Sequence, residues 1–319
     1  MVEIGYKLAS EEHGPLDLVS NARQAEDAGF AFAMISDHYH PWTARQGESP
    51  FVWTVIGGIS QVTADLRLLT GVTCPTVRIH PGIIAQAAAT AAAMMPGRFI
   101  LGLGSGEYLN EHIFGDRWPP APVRVEMLEE AVEVIRMLWK GGMQDYYGSF
   151  YTLENAEVFS LPEILPPIYI ASEGPISASL AARAGEGFIN AGTNAEECLV
   201  VFRNSGGGDK PAYMEVSVCW AESEEEGQRN AYEQWPVAAN KGELNRVLPT
   251  PAHYEQLAAM VTLEDVAGNV PCGPDPEVHI KKIEERVRMG FDHICVHQIG
   301  HQQQEFMEFY RKEVLPHFR

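Results

Sequence analysis

Paired cysteines, long apolar runs and an excess of basic charge are all missing from this sequence. Its five cysteines, Cys74, Cys198, Cys219, Cys272 and Cys295, stand apart with no C-x-x-C pair. An odd count, in a chain of 319 residues that can bury a core without staples, predicts reduced thiols and no structural metal. No apolar run approaches the roughly 20 residues that span a bilayer. The nearest, residues 85–95, is short and alanine-rich and reads as a helix that packs tightly on a sheet. Lysine and arginine number 23 against 43 aspartates and glutamates, a net charge of -20. That balance argues against a nucleic-acid partner and against an anionic membrane surface. The first residues, Val2-Glu3-Ile4-Gly5-Tyr6, enter a strand pattern with no basic leader, so the expected location is the cytoplasm.

What is present is a soluble, globular composition, 45% apolar and 21% charged. Strand-like runs are predicted at Glu3–Leu8, Ala31–Ile35, Leu66–Thr73, Arg98–Gly104, Pro167–Ala171, Gly187–Asn190, Tyr213–Trp220 and His293–Gln298. Helical patterns lie between them, near Pro15–Ala28, Val52–Thr63, Pro81–Met94, Ala121–Trp139, Pro175–Ala184, Asn194–Phe202, Glu224–Glu233, Pro251–Met260, Pro276–Met289 and Gln302–Val314. Pro15 opens the first helix and Gly29 closes it; Pro81, Pro175 and Pro276 open others. Strand–helix alternation without a break in composition predicts a (β/α)8 TIM barrel, one domain over 1–319. Two stretches exceed a minimal barrel: 141–166, rich in tyrosine and turn residues, and 221–269, acidic at its start and helical.

The chemistry gathers where strands end, the face on which such barrels place their active sites. Glu11 follows the first strand; Asp37, His38, His40 and Trp42 follow the second; Thr73 and Cys74 end the third. The fourth runs into Gly104-Ser105-Gly106-Glu107 and Asn110, and the fifth into Ala171-Ser172-Glu173-Gly174. His38 and Trp42 supply a base and a flat aromatic stabiliser; His38 also reads as a hydrogen-bonded loop histidine, and His38 with His40 as half of a metal site that lacks a third ligand. Glu107 also reads as a helix-dipole carboxylate. The segment Ala171–Gly174 leads straight into a predicted helix, whose first N–H groups suit a phosphate. His293, Cys295 and His297 share a strand face and read as packing, with His297 a candidate pocket wall.

Three motifs, Ser36-Asp37-His38-x-x-Pro41-Trp42, Pro75-Thr76-x-Arg78 and Gly104-Ser105-Gly106-Glu107-x-x-Asn110-Glu111, resemble the luciferase-like superfamily. The resemblance spans nearly the whole chain and is strongest with the branch that uses the deazaflavin coenzyme F420, that of the F420-dependent glucose-6-phosphate dehydrogenases. It implies an F420-dependent oxidoreductase, a homodimer acting on a small molecule. By this resemblance His38 is the general base toward a substrate hydroxyl, Trp42 stabilises the reacting centre, Glu107 donates a proton to the reduced ring, and Glu11 positions substrate or shares the acid role. Asp37, Gly71, Val72, Cys74, Ser105, Gly106 and Asn110 line the cofactor, with Gly71–Val72 as a cis peptide behind its ring. Ala171, Ser172, Glu173 and Gly174 hold its phosphate. The roles make chemical sense: an alcohol must lose a proton as hydride leaves, and histidine titrates near neutral pH.

One departure is expected to matter. The sugar-phosphate relatives hold phosphate with a threonine, two lysines and an arginine, and the matching positions here are Ala191, Asn194, Asn245 and Asn269, with Lys241 and Arg246 as the nearby cations. Losing those charge-assisted bonds predicts a substrate without phosphate. The alternatives are an FMN-dependent luciferase-like monooxygenase on the same fold and a flavin-binding protein without activity.

Overall fold

The computed structural model describes residues 2–239 and 244–319. Its strands are β1 (Glu3–Leu8), β2 (Phe32–Ile35), β3 (Arg67–Thr70), β4 (Phe99–Leu103), β5 (Gln144–Tyr147), β6 (Thr152–Ala156), β7 (Ile168–Ala171), β8 (Gly187–Asn190), β9 (Ala212–Val218) and β10 (His293–Gln298). Eight of them close a barrel in the order β1-β10-β9-β8-β7-β4-β3-β2, the (β/α)8 arrangement that the alternation predicts. These strands are sequestered on both faces, and so they read as near-continuous apolar runs. Six strands fall within one residue of their predicted bounds at both ends: β1, β2, β4, β7, β8 and β10. The third is shorter than predicted. Regular pairing stops at Thr70, and Thr73 rejoins by an isolated bridge to Leu103.

The chain divides into two compact units, Met1–Leu66 with Tyr213–Arg319, and Arg67–Ala212. In the first, β1 pairs in parallel with β2 and β10, and β10 with β9, so that Gly5, Cys295 and Glu215 fall in one register row. The helix Pro15–Ala28 starts on its proline and ends on Gly29, whose φ of 93° is the left-handed conformation that glycine adopts without cost. The insertion between β9 and β10 carries helices Glu224–Gln234, Leu244–Val247, Pro251–Ala258 and Leu263–Ala267. Its own small core is Cys219, Ala231, Val266, Val270, Cys272 and Ile299. Thr262 and Asp265 form a reciprocal capping box at the last of these helices.

In the second unit β3, β4, β7 and β8 pair in parallel. Gly102 is required on β4. A Cβ there would lie 1.9 Å from the Thr70 carbonyl oxygen, and the Thr70 hydroxyl donates to the Gly102 carbonyl at 2.7 Å. The tyrosine-rich stretch is an antiparallel hairpin, β5 with β6. Its turn is held from outside: the Glu130 carboxylate accepts the backbone N–H groups of Ser149, Phe150 and Tyr151. The Tyr151 hydroxyl bonds the carbonyls of Pro75 and Thr76 at 3.0 Å, which ties the hairpin to the loop after β3.

Candidate active site

In the first unit the polar cluster begins where β1 and β2 end. Their strands run side by side, Leu8 opposite Ile35, so the residues that follow are neighbours. Ser36 is the first link: its hydroxyl donates to Glu11 Oε2 at 2.7 Å and accepts from the Ser10 N–H at 3.1 Å. Glu11 Oε1 lies 2.9 Å from His38 Nδ1, with the carboxylate side chain 2% exposed and the imidazole 12%. Trp42 meets the His38 ring edge to face at 5.1 Å, and Tyr254 meets Trp42 in the same way at 5.3 Å. The Tyr254 hydroxyl is spent on the Asn245 carbonyl. Asp37 is buried beside them. His40 turns instead toward exposed Tyr39, with ring centroids 4.9 Å apart.

Burial by itself would raise the Glu11 carboxyl, but the charge and hydrogen bond of His38, the charge of Lys7 and the Ser36 hydroxyl outweigh it and hold the group at about 2, against an ordinary 4.5. The carboxylate is therefore ionised at any working pH, which suits it to orienting His38 and not to donating protons. A depressed carboxyl pKa contributes stability above the unfolded-state value and loses it as pH falls through the folded-state one. Wild type is expected to lose on the order of 3 kcal/mol relative to Glu11→Gln between about pH 4.5 and 2. Thermal unfolding of both proteins across that range checks this; parallel curves would refute it.

The loop carrying His38 and Trp42 is fastened at its far side. Ser49 donates to the His38 carbonyl, Arg45 reaches the Glu233 carbonyl and the Glu255 carboxylate at 2.7 Å, and Gln46 donates to the Gln234 carbonyl. Trp235, next along, stands edge-on to His297 at 4.4 Å. His297 does more than pack: its Nε2 is 2.8 Å from Glu12 Oε2, both side chains are fully buried, and Glu12 Oε1 accepts the Gly300 N–H. Lys7, buried, and Glu215, partly buried, form a further pair at 2.7 Å. Sequence reasoning missed Glu12 and Glu215. Each is one carboxylate in an acidic chain, and only its partner in the fold, His297 for Glu12 and Lys7 for Glu215, shows where it points.

In the second unit the Gly71–Val72 peptide is cis, at the position where the resemblance expects it. Gly104 donates to the Thr73 carbonyl, keeping the ends of β3 and β4 together near Cys74. Ser105, Gly106 and Glu107 follow, Gly106 with a φ of 90°. Glu107 occupies the N-cap of the turn Tyr108–Glu111, yet its side chain makes no cap hydrogen bond; Asn110 Nδ2 donates to its Oε2 at 3.3 Å. Two of the sequence motifs meet here: the Arg78 N–H donates to Glu111 Oε2 at 2.7 Å, and both side chains are nearly fully buried. Trp118, which reads from the sequence only as a core or interface residue, lies against Gly106, stacks on Tyr108 and carries Arg124 over its ring at 4.3 Å.

The segment after β7 is shaped as a phosphate site requires. Gly174 is the N-cap of the helix Pro175–Ala184 without any side-chain cap, and the space beside it is open. The Ser172 hydroxyl donates to the Gly174 carbonyl at 2.9 Å, and Asn190 donates to the Ser172 carbonyl, which fixes the turn that follows Ala171. The Glu173 side chain lies toward Gly192, and its carbonyl accepts from Asn194 Nδ2 at 2.6 Å. The helix start thus keeps its first N–H groups for an anion, and the residues present fit a bound phosphate. Asn194 is occupied in that contact, Asn269 donates its amide to the Asp265 carbonyl at 2.8 Å, and Ala191 is apolar. Lys241 lies outside the described residues.

Comparison with known proteins agrees with this geometry. The luciferase-like monooxygenase family profile matches residues 3–293. The F420-dependent glucose-6-phosphate dehydrogenase of Microbacterium testaceum is 34% identical over 329 residues, covering 100% of this chain and 98% of that protein. The enzyme of the same description from Mycolicibacterium smegmatis is 33% identical, again over 100% and 98%. Among solved structures, an F420-dependent secondary alcohol dehydrogenase in complex with an F420-acetone adduct superposes with a TM-score of 0.92 at 28% identity, over 100% of this chain and 99% of that one. The F420-dependent tetrahydromethanopterin reductase of Methanopyrus kandleri shares the fold, with a TM-score of 0.80 at 21% identity.

Proposed function

This chain belongs to the luciferase-like family, in its branch of F420-dependent dehydrogenases, and from that premise we propose an enzyme that moves a hydride between coenzyme F420 and the hydroxyl or carbonyl carbon of a small, non-phosphorylated alcohol or sugar. The observation that carries the reading is the buried Glu11–His38 pair, 2.9 Å apart, with Trp42 standing edge-on to the imidazole.

Bound F420 supplies a ring carbon that accepts or returns the hydride. Everything else falls to side chains of the protein. The Glu11 carboxylate, 2.9 Å from Nδ1, favours a proton on that nitrogen and so the His38 tautomer whose Nε2 takes up a proton from the substrate hydroxyl. An imidazolium formed there is stabilised by the ionised Glu11. Trp42 keeps the ring from rotating and presents an apolar edge that excludes water. Glu107 holds a proton for the reduced ring. Because Asn110 donates to its Oε2, the transferable proton is assigned to Oε1. Asp37, Gly71, Val72, Cys74, Ser105, Gly106 and Asn110 would line the ring, and the turn Ala171, Ser172, Glu173 and Gly174, with the helix start behind it, would hold the phosphate.

Support for a substrate without phosphate comes from Ala191, Asn194, Asn245 and Asn269, none of which carries a charge. The homodimer rests on the resemblance and the cytoplasmic setting on the five unpaired cysteines; among the described residues no helix is long and apolar enough to cross a membrane. Titrating the purified protein with oxidised F420 and separately with FMN, by cofactor fluorescence, tests the assignment. Tight binding of F420 alone is expected. A preference for FMN would move the protein to the monooxygenases and remove the roles given to His38 and Glu107.

A further inference from the structure

We propose that the Lys7–Glu215 ion pair is a positioning element of this site, which sets how strongly Glu11 holds a proton on His38. The inference rests on the reading of His38 as the proton acceptor, and it adds residues that lie on the barrel strands themselves.

The geometry starts with an anomaly in β1. Lys7 is flanked by Tyr6 and Leu8 in a strand that is buried from Ile4 onward, and its own side chain is 7% exposed. Its ammonium reaches Glu215 Oε2 at 2.7 Å on β9, with β10 between the two strands in the sheet. A lysine used only for solubility would not be folded into the barrel wall, since desolvating an ammonium is costly unless carboxylates face it. Among the described residues of this unit, the titratable groups acting on Lys7 are Glu215 from β9, Glu11 from the turn after β1 and Cys295 from β10. Those acting on Glu11 are His38 and Lys7, with the Ser36 hydroxyl. Lys7 therefore interacts with two carboxylates, and Glu11 with two cationic partners.

The charges decide the consequence. Lys7, Glu215 and Glu11 sum to one negative charge while His38 is neutral, and to zero once His38 is protonated. Buried Asp37, next to His38 in the chain, adds a further carboxyl to these surroundings. Lys7 opposes a proton on His38 and Glu215 favours it, so together they adjust the affinity of His38 from a distance. A lysine without its carboxylate would overshoot. With Glu215 removed, the full charge of Lys7 acts on Glu11, and His38 gives up its proton more readily.

Two variants test this in the protein without cofactor or substrate. Histidine-labelled protein is titrated by NMR, and the His38 signal is assigned by its loss in His38→Asn. Glu215→Gln retains Lys7 unneutralised; the double variant Lys7→Met/Glu215→Met removes both charges at similar volume. The His38 midpoint in Glu215→Gln is expected about one pH unit below that of the double variant, the order of effect that one uncompensated charge in buried surroundings produces. A midpoint equal to or above that of the double variant would overturn the proposal. The double variant keeps the comparison meaningful should Lys7→Met alone fail to fold. Failure of the functional reading looks different: the His38 midpoints would move as stated while no alcohol reduces F420.

Discussion

Replacing His38 by asparagine is expected to lower kcat for F420 reduction about a thousandfold, while F420 binding changes by less than about threefold. General-base catalysis by a positioned side chain contributes about 10²–10⁴ in rate, and here the base has a dedicated partner. Asparagine keeps a polar group beside Glu11, so the carboxylate is not left buried without a donor, and the loop is still held by Ser49, Arg45 and Gln46. The loss therefore reads proton transfer and not collapse of the loop. The acid limb of the kcat profile should disappear with the imidazole, because Glu11, at about 2, does not titrate in the working range. Steady-state kinetics across pH with both proteins decides it, and a drop of less than tenfold would remove His38 from the mechanism.

Glucose-6-phosphate is expected to be a poor substrate, at least about a thousandfold worse in kcat/KM than a neutral alcohol of similar size. Each hydrogen bond to a charged group contributes about 1.5–3 kcal/mol, so losing three cations removes enough to account for that factor. The positions that match the sugar-phosphate grip carry Ala191, Asn194, Asn245 and Asn269. Two of these amides are already bonded to main-chain carbonyls, Asn194 to Glu173 and Asn269 to Asp265. The net charge of -20 adds a long-range repulsion toward any dianion. Comparable kcat/KM for glucose-6-phosphate and its dephosphorylated sugar would contradict the assignment.

How much of this was legible beforehand differs from residue to residue. The cluster at His38 and Trp42 stood out because a polar stretch interrupts an apolar run at a strand end, and the barrel supplies the reason for looking there. Helix starts at Pro15, Pro81, Pro175 and Pro276 were readable because proline at the first helical position leaves a local mark. The hairpin of residues 144–156 was visible only as an excursion, since its pairing depends on a register that composition does not encode. Lys7, Glu12 and Glu215 were hidden for a different reason. A lone charge in a strand, as Lys7 and Glu215 are, normally faces water, and Glu12 sits in a turn whose direction only the fold sets. The Arg78–Glu111 pair joins two motifs that the sequence shows 33 residues apart. Trp118 reads from the sequence only as core or interface, with nothing to place it against Gly106.

The most direct test follows the hydride itself. Oxidised F420 is incubated with the protein and a secondary alcohol deuterated at its carbinol carbon, and the reduced cofactor is examined by mass spectrometry. The account predicts one deuterium transferred to the cofactor, in step with formation of the ketone and dependent on His38. Reduction of F420 without deuterium transfer, or oxidation of the alcohol only when FMN and oxygen are supplied, would contradict it.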